Sequence, residues 1–319
     1  KGAVLFSAWL DMPHRPTRDV DFALAQSPAE SDLALVADIV SDICRVDVPE
    51  DGVTFDADSV DVDEIREGAS YSGARATLQA AIGTARVKVQ VDVGFGHVVT
   101  PGPHEERMPA LLDQPRAEVL AYPRESVVAE KLEIIVQLGL VNSRMKDYFD
   151  LRALAANFEY DFLVLVDAVR NTFERRRTPL PSDVPVGLSD VFANAPEKVT
   201  QWNAFLGRIG RPGDGRLDDC TAEVRRFAYP ILEAANAPTS HVATIWDPER
   251  GWQESRVGST PAEVRAKIEQ GMRRWRNIDA SAAQYVMESD IDYAATPAVV
   301  SRARFFSASD EATWQELVD

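Results

Sequence analysis

The chain has 319 residues, 45% hydrophobic and 27% charged, with a formal net charge of −17 from 51 acids against 34 bases. That length suits one large domain or two ordinary ones, and the composition is that of a folded globule. The acidic excess disfavours a protein that simply coats nucleic acid, but it does not exclude a small local basic site.

Residues 2–10 read as an apolar helix start after Gly2. His14 to Thr17 is polar and leads into Arg18-Asp19-Val20-Asp21-Phe22. That piece alternates acid and apolar, as a half-buried strand does, with Val20 and Phe22 expected toward the core. Ser31 is expected to cap a helix with Leu33, Val36, Ile39, Val40 and Ile43 on one face and Cys44 as inert core. Residues 47–67 hold nine acids and one base, Arg66, and read as a solvated loop or an edge strand. A hairpin follows, with residues 74–81 and 85–93 flanking Ile82-Gly83-Thr84. In its second strand Val87, Val89, Val91 and Val93 face one way and Lys88, Gln90 and Asp92 the other. Gly94-Phe95-Gly96 ends it.

Pro123 opens a helix to about Leu138. Ser143 is expected to cap the next, running past Leu154. Helices are expected at 160–176, ending in Arg175-Arg176-Arg177, and near 196–208, 219–235 and 261–275. The natural divisions are a core at 1–120, a helical region at 121–235 carrying Lys131 and Asp147, and an extension at 236–319. The chain opens at Lys1 on a motif, without Met, so residues upstream are expected. No signal peptide is read, and no apolar run reaches the roughly 20 residues that cross a bilayer. Cys44 and Cys220 lie far apart with no CxxC pair, which excludes a disulfide framework or zinc ribbon and fits a reducing cytoplasm. The four histidines lack metal-ligand spacing, so any catalysis is expected to rest on carboxylates and lysine.

Asp19 and Asp21 are two apart, so on a strand they share a face. Two carboxylates at a strand end suit a divalent cation, above all Mg²⁺ (or Mn²⁺), which takes hard oxygen ligands together with substrate phosphates. The plain alternative is a solvated acidic turn. Asp92 is a third acid that completes a metal site if its strand is a neighbour. Gly2 ahead of the helix offers backbone N–H groups to a triphosphate. Lys131 falls on the apolar face of its helix with Val127, Val128, Ile134, Ile135 and Leu138. A lysine there either snorkels out or meets an anionic partner in a cleft. Asp147 and Asp150 share a helix face, where Asp147 is placed to pair with Lys131 or act as a base; the alternative is an acid pair favoured by the helix dipole.

Together these residues resemble a known pattern. Lys1-Gly2-Ala3 with Arg15-Pro16-Thr17-Arg18-Asp19-Val20-Asp21-Phe22 is similar to the first motif of the polymerase-β-like nucleotidyltransferases, and in particular of the AbiEii/AbiGii toxin family, which includes the MenT-type toxins. Residues 89–96, Tyr122 to Leu132 and Arg144 to Leu151 resemble its second, third and fourth regions in order, and Trp246 to Trp252 its usual tail. Here Gly2-Ala3 stands where the family usually reads Gly-Gly or Gly-Ser, and the segment to Asp19 is long. The resemblance implies an α+β fold: a polymerase-β-like nucleotidyltransferase core, a small mixed sheet flanked by helices, then a helical C-terminal region. It implies Mg²⁺-dependent transfer of a nucleotide from an NTP, with the tRNA 3′ end as acceptor in the MenT-type toxins, and a toxin of a toxin–antitoxin or abortive-infection system. By motif position Asp19, Asp21, Lys131 and Asp147 are catalytic, and Asp19, Asp21 and Asp92 hold metal. Gly2, Ala3, Arg18 and Lys131 bind the nucleotide. Thr17 is a regulatory hydroxyl, and a cognate antitoxin is the expected partner. Arg15, Arg18, Lys88, Arg144, Lys146 and Arg175–Arg177 are candidates for a basic rim that tRNA contact needs; the alternative for Arg175–Arg177 is a solvated helix face. The alternatives are a nucleotidyltransferase acting on an antibiotic or a protein, which the acidic run mildly favours for a cationic acceptor, and a non-catalytic NTP-binding regulator. Lys131→Ala is expected to remove transfer and leave the fold intact.

Overall fold

The computed structural model describes residues 1–10, 14–17, 20–24, 32–46, 48, 52–66, 72–110, 115–236, 241–242, 244–254, 285–292 and 299–307. Arg18, Asp19, Ser31 and the helix expected near 261–275 lie outside the described residues.

Gly2 leads into a 3-10 turn at Ala3–Leu5 that continues as α1 (Phe6–Trp9). Then come β1 (Val20–Ala23), α2 (Leu33–Cys44), β2 (Val53–Arg66), β3 (Ser72–Ile82) and β4 (Ala85–Gly94). A short antiparallel pair, β5 (His104–Arg107) and β6 (Glu118–Ala121), precedes α3 (Arg124–Leu138) and α4 (Met145–Asn157). The helical part goes on through α5 (Phe162–Arg176), reached from the two-residue β7 (Tyr160–Asp161), then α6 (Asp190–Ala193), α7 (Pro196–Arg208) and α8 (Leu217–Asn236). Strands β8 (His241–Val242), β9 (Thr244–Asp247), β10 (Gly251–Glu254), β11 (Tyr285–Asp292) and β12 (Val299–Ser307) close the described chain.

The main sheet is mixed, in the order β1-β4-β3-β2. β2, β3 and β4 are antiparallel neighbours, and β1 joins β4 in parallel. The hairpin is the one the alternation specifies: Ile82 pairs with Ala85 across a two-residue turn, and Gly83 takes φ 57°, which a residue with a Cβ rarely adopts. The acidic run becomes β2, an edge strand with its acids in water, which also keeps other chains from pairing there.

Helix α2 packs on β2 and β3, burying Val36 and Val40 against Ala74, Ala76, Leu78, Val93 and Phe95. Two expectations change here. The cap is Asp32, whose Oδ1 accepts from the Leu35 N–H at 3.0 Å, and Ile39 and Ile43 point to solvent while Leu33 and Cys44 join Val36 and Val40 on the inner face. Val20 and Phe22 do lie on the valine face of the sheet, opposite Val91 and Val93, yet they are 36% and 50% exposed. The reason is position: β1 is the other sheet edge, and α2 packs on this face over β2 and β3.

A second, larger core lies among the helices. Leu132 and Ile135 of α3, Leu151 and Leu154 of α4, Leu165 and Val169 of α5, and Phe227 and Ile231 of α8 are all fully buried. Trp246 and Trp252, opposite each other in the β9–β10 hairpin, seal it, donating their indole N–H groups to the carbonyls of Ala155 and Phe227. Helix α4 is not capped by Ser143. Instead the Asn142 side-chain oxygen accepts from the Arg144 N–H at 2.8 Å.

One fully buried acid ties α3 to the end of α5. Glu133 accepts from Arg176 at 2.6 Å and from the Thr178 hydroxyl. Glu133→Ala takes the close acceptor from Arg176 and from Thr178 and leaves Arg176 with Glu130 at 3.7 Å, so it should lose about 3 kcal/mol of stability, the low end for breaking a buried pair. Urea denaturation measures it; a loss below about 1 kcal/mol would show that the pair is not held as described.

Candidate active site

Parallel pairing of β1 with β4 sets Asp21 directly opposite Asp92. Their neighbours in the ladder, Val20–Val91 and Phe22–Val93, point to the other face, so the two acids share the face away from α2. Gly2 lies against this pair. Its backbone is at φ 81°, ψ −161°, and a Cβ there would stand 2.9 Å from the Asp21 Cγ and closer still to a carboxylate oxygen. The Lys1 backbone nitrogen donates to the Asp21 carbonyl at 2.6 Å. Burial raises the pKa of Asp21, Lys1 draws it down, and Asp92 pushes it up again. Both Asp92 oxygens accept from Arg75, at 2.8 Å each.

The Lys1 side chain is anchored as well. Its ammonium can only donate, so at 2.9 Å it makes His97 Nε2 the acceptor and leaves the Nδ1 hydrogen for Glu130, 3.0 Å away. Burial lowers the His97 pKa, in keeping with a neutral ring. Glu130 precedes Lys131 on α3, so the start of the chain is clipped to the helix that carries the lysine.

Lys131 has its anionic partners. Its Nζ donates to Asp147 Oδ1 at 2.8 Å and to Asp150 Oδ2 at 2.7 Å. Burial alone would lower its pKa, but the two carboxylates outweigh it and hold the pKa above the usual lysine value. Asp147 also accepts from Arg144 at 2.8 Å. Asp150, which has no exposed surface, accepts from His14 at 2.8 Å and from Arg15 at 2.7 and 2.8 Å. Burial would raise the pKa of both acids; Lys131 and the arginines reverse that and hold both below the usual carboxylate range, Asp150 furthest.

Lys146 belongs to the same cluster. Burial and then Arg144 lower its pKa, and its charge is felt at Asp21 and Asp147. Arg15 likewise interacts with Asp21, Asp147 and Asp150. The four sequence regions therefore meet: Asp21 with Asp92 through the sheet, Lys131 with Asp147 through an ion pair, and the two halves through Arg15 and Lys146. Thr17 is exposed, and Ala3 opens the 3-10 turn that follows Gly2. The sequence reading gave no site role to Asp150, His14 or the Lys1–His97–Glu130 chain. Asp150, three residues after Asp147, was the visible clue.

The donor chemistry fits a hard divalent cation at Asp21, a partly desolvated carboxylate facing a second acid. Asp92 faces Asp21 across the ladder, but both of its oxygens are held by Arg75. Among the described residues there is no group of three or more His, Cys, Asp or Glu side chains set to hold a metal.

Depressed carboxylates make a pH prediction. Their contribution to stability is complete above the unfolded pKa, near 4, and is lost as pH falls toward the folded value. The protein should therefore lose stability as pH drops below about 4, and Asp150→Asn should flatten that dependence. Urea midpoints at pH 6, 5, 4 and 3 measure it; an unchanged slope in the variant would contradict the burial and pairing of Asp150.

A mixed sheet with two acids on one face, a glycine pressed against one of them, and a lysine held by a helical acid defines a nucleotidyltransferase type of core. The chain belongs to the AbiEii family of nucleotidyl transferase toxins, of a type IV toxin–antitoxin system, whose family model matches residues 1–222. A search of curated proteins finds no match. Among solved structures the chain is similar to JHP933 from Helicobacter pylori, at 11% identity over 73% of this chain and 80% of that one, with a TM-score of 0.36. A second H. pylori chain, described as a candidate nucleotidyltransferase, gives 12% identity over 73% and 83%, with a TM-score of 0.35. No helix among the described residues is long and apolar enough to cross a membrane.

Proposed function

We propose that the chain is a toxin that moves a nucleoside monophosphate from an NTP to the 3′ end of tRNA, with Mg²⁺ as cofactor. The observation that supports this reading is a pair of groups, Gly2 against Asp21 opposite Asp92 and Lys131 bonded to Asp147, with the charges of Arg15 and Lys146 acting on both. Asp19 and Asp21, with Asp92, would hold the cation, which neutralises phosphate charge and activates the attacking hydroxyl. The backbone at Gly2 and Ala3, with Arg18, receives the triphosphate. Lys131 spends two of its three N–H bonds on Asp147 and Asp150 and directs the third at a phosphate oxygen. Asp147 keeps unshared lone pairs to accept a proton from the incoming hydroxyl. Thr17, which is exposed, is where a cognate antitoxin would act by modification.

The net charge of −17 does not oppose an RNA acceptor. The acidic β2 is the opposite sheet edge from β1. Three strand spacings, roughly 14 Å, separate them, which exceeds the Debye length of about 8 Å at physiological salt. The basic rim is smaller than the sequence suggested, because Arg15, Arg144 and Arg176 are drawn into ion pairs and Arg175 donates to the Gly96 carbonyl. Lys88, Lys146 and Arg177 remain as candidate rim cations, and Arg18 lies outside the described residues.

The test separates acceptor and chemistry. α-Labelled and γ-labelled NTPs are offered with tRNA whose 3′ end is intact or oxidised by periodate. Label from the α position on intact tRNA alone is expected. Label on oxidised tRNA moves the acceptor elsewhere, and label from the γ position makes the reaction a phosphoryl transfer. Transfer to an aminoglycoside or to protein instead of tRNA would favour the other acceptors. NTP binding without transfer would leave a non-catalytic regulator.

A further inference from the structure

Asp150 differs from Asp147 in how completely it is used. A carboxylate has about four lone-pair positions. At Asp150 four donor contacts fill them: His14 and Arg15 Nε on one oxygen, Arg15 Nη2 and Lys131 on the other. The residue has no exposed surface. It is left with no position for a metal, a substrate or a proton. Asp147, by contrast, receives one donor on each oxygen.

The groups that Asp150 collects come from two places in the chain. Lys131 is on α3. His14 and Arg15 open the segment that runs into Asp19 and Asp21, and they lie 136 and 135 residues from Asp150. That segment is clamped from both sides. The His14 ring stacks on Phe6 at 4.4 Å and on Phe149 at 4.7 Å, and the Arg211 guanidinium lies 5.8 Å from the Phe149 ring centre. The stack fixes the ring, and the hydrogen bond to Asp150 fixes its rotation.

We infer that Asp150 is a positioning residue for nucleotide transfer: through His14 and Arg15 it tethers the segment leading into the strand that bears Asp21, and through Lys131 it sets the distance from Asp21 to the lysine. The inference rests on the transfer reading, and its consequences divide cleanly from it. A shift of about 1 Å between reacting groups can cost on the order of 10²-fold in rate, so loss of the tether acts on kcat more than on KM.

The experiment compares Asp150→Asn, His14→Phe and their double variant with the parent chain, each well below its melting temperature. His14→Phe keeps an aromatic ring in the stack and removes only the hydrogen bond. For Asp150→Asn, kcat for transfer should fall about 10²-fold while the NTP KM stays within about threefold. His14→Phe should fall about tenfold. The double variant should be no slower than Asp150→Asn alone, because the two residues act as one unit. Hydrogen exchange gives a readout independent of activity: amides of residues 14–17 and 20–24 should exchange at least about tenfold faster in Asp150→Asn than in the parent. A kcat within threefold of the parent, with only the melting temperature lowered, would reduce Asp150 to a structural role. Unchanged exchange at 14–17 and 20–24 would also overturn the tether. If the parent itself transfers nothing, the transfer reading fails, and the exchange result still decides whether the tether exists.

Discussion

Lys131→Met should abolish nucleotide transfer, lowering kcat by at least about 10²–10³-fold, the usual effect of removing one preorganised donor from a site of developing charge. It should also destabilise the protein. The sequence alone suggested that Lys131 could be removed with the fold intact. The structure changes that expectation, because Lys131 neutralises two buried acids at 2.8 and 2.7 Å. Both acids keep other donors, Arg144 for one and Arg15 with His14 for the other, so the loss is on the order of 3 kcal/mol. For a domain of this size that lowers the melting temperature by roughly 6–12 °C. Met retains the length of the stem and its packing. Circular dichroism melts and a transfer assay at 20 °C separate the two effects. A variant that keeps transfer, whatever its melting temperature, would remove Lys131 from the chemistry.

Gly2→Ala should have the second largest effect, and it should fall on activity more than on stability. The backbone at φ 81°, ψ −161° is a region that essentially only glycine occupies. Forcing alanine there costs about 1–3 kcal/mol locally. The added methyl would overlap the Asp21 carboxylate, so either Gly2 or Asp21 must move. A displacement of about 1 Å predicts a loss on the order of 10²-fold in transfer, beside a melting-temperature change of a few degrees. Near-parental transfer in Gly2→Ala would mean that the glycine is not pressed on a working carboxylate.

Where periodicity is local, the sequence was a good guide. Strict alternation and Gly83 locate the β3–β4 hairpin, and the acid-rich run becomes an edge strand for the reason its charge suggested. The Lys131–Asp147 pair was readable because a lysine on an apolar helix face must find an anion or water, and two acids stood on the next helix. The parallel union of β1 with β4 was not readable in the same way. It joins residues 71 apart, such as Asp21 and Asp92, and no local pattern records it. The exposure of Val20 and Phe22 follows from the same ladder, since their face is apolar but their strand is an edge. His14 was hidden for a different reason. A histidine in a polar segment has no periodic signature, and its partners Phe6, Phe149 and Asp150 are gathered only by tertiary packing. The end-of-helix errors at Ser31 and Ser143 are of a smaller kind: an Asp or Asn one residue away accepts the hydrogen bond instead.

The most direct measurement is transfer of label from an α-labelled NTP to total tRNA in the presence of Mg²⁺, with the parent chain beside Asp21→Ala. The account predicts labelled tRNA with the parent, for at least one of the four NTPs, and none with Asp21→Ala or when EDTA removes the metal. Label that persists at the parental rate in Asp21→Ala would contradict the site, and absence of label from the parent with every NTP would contradict the function.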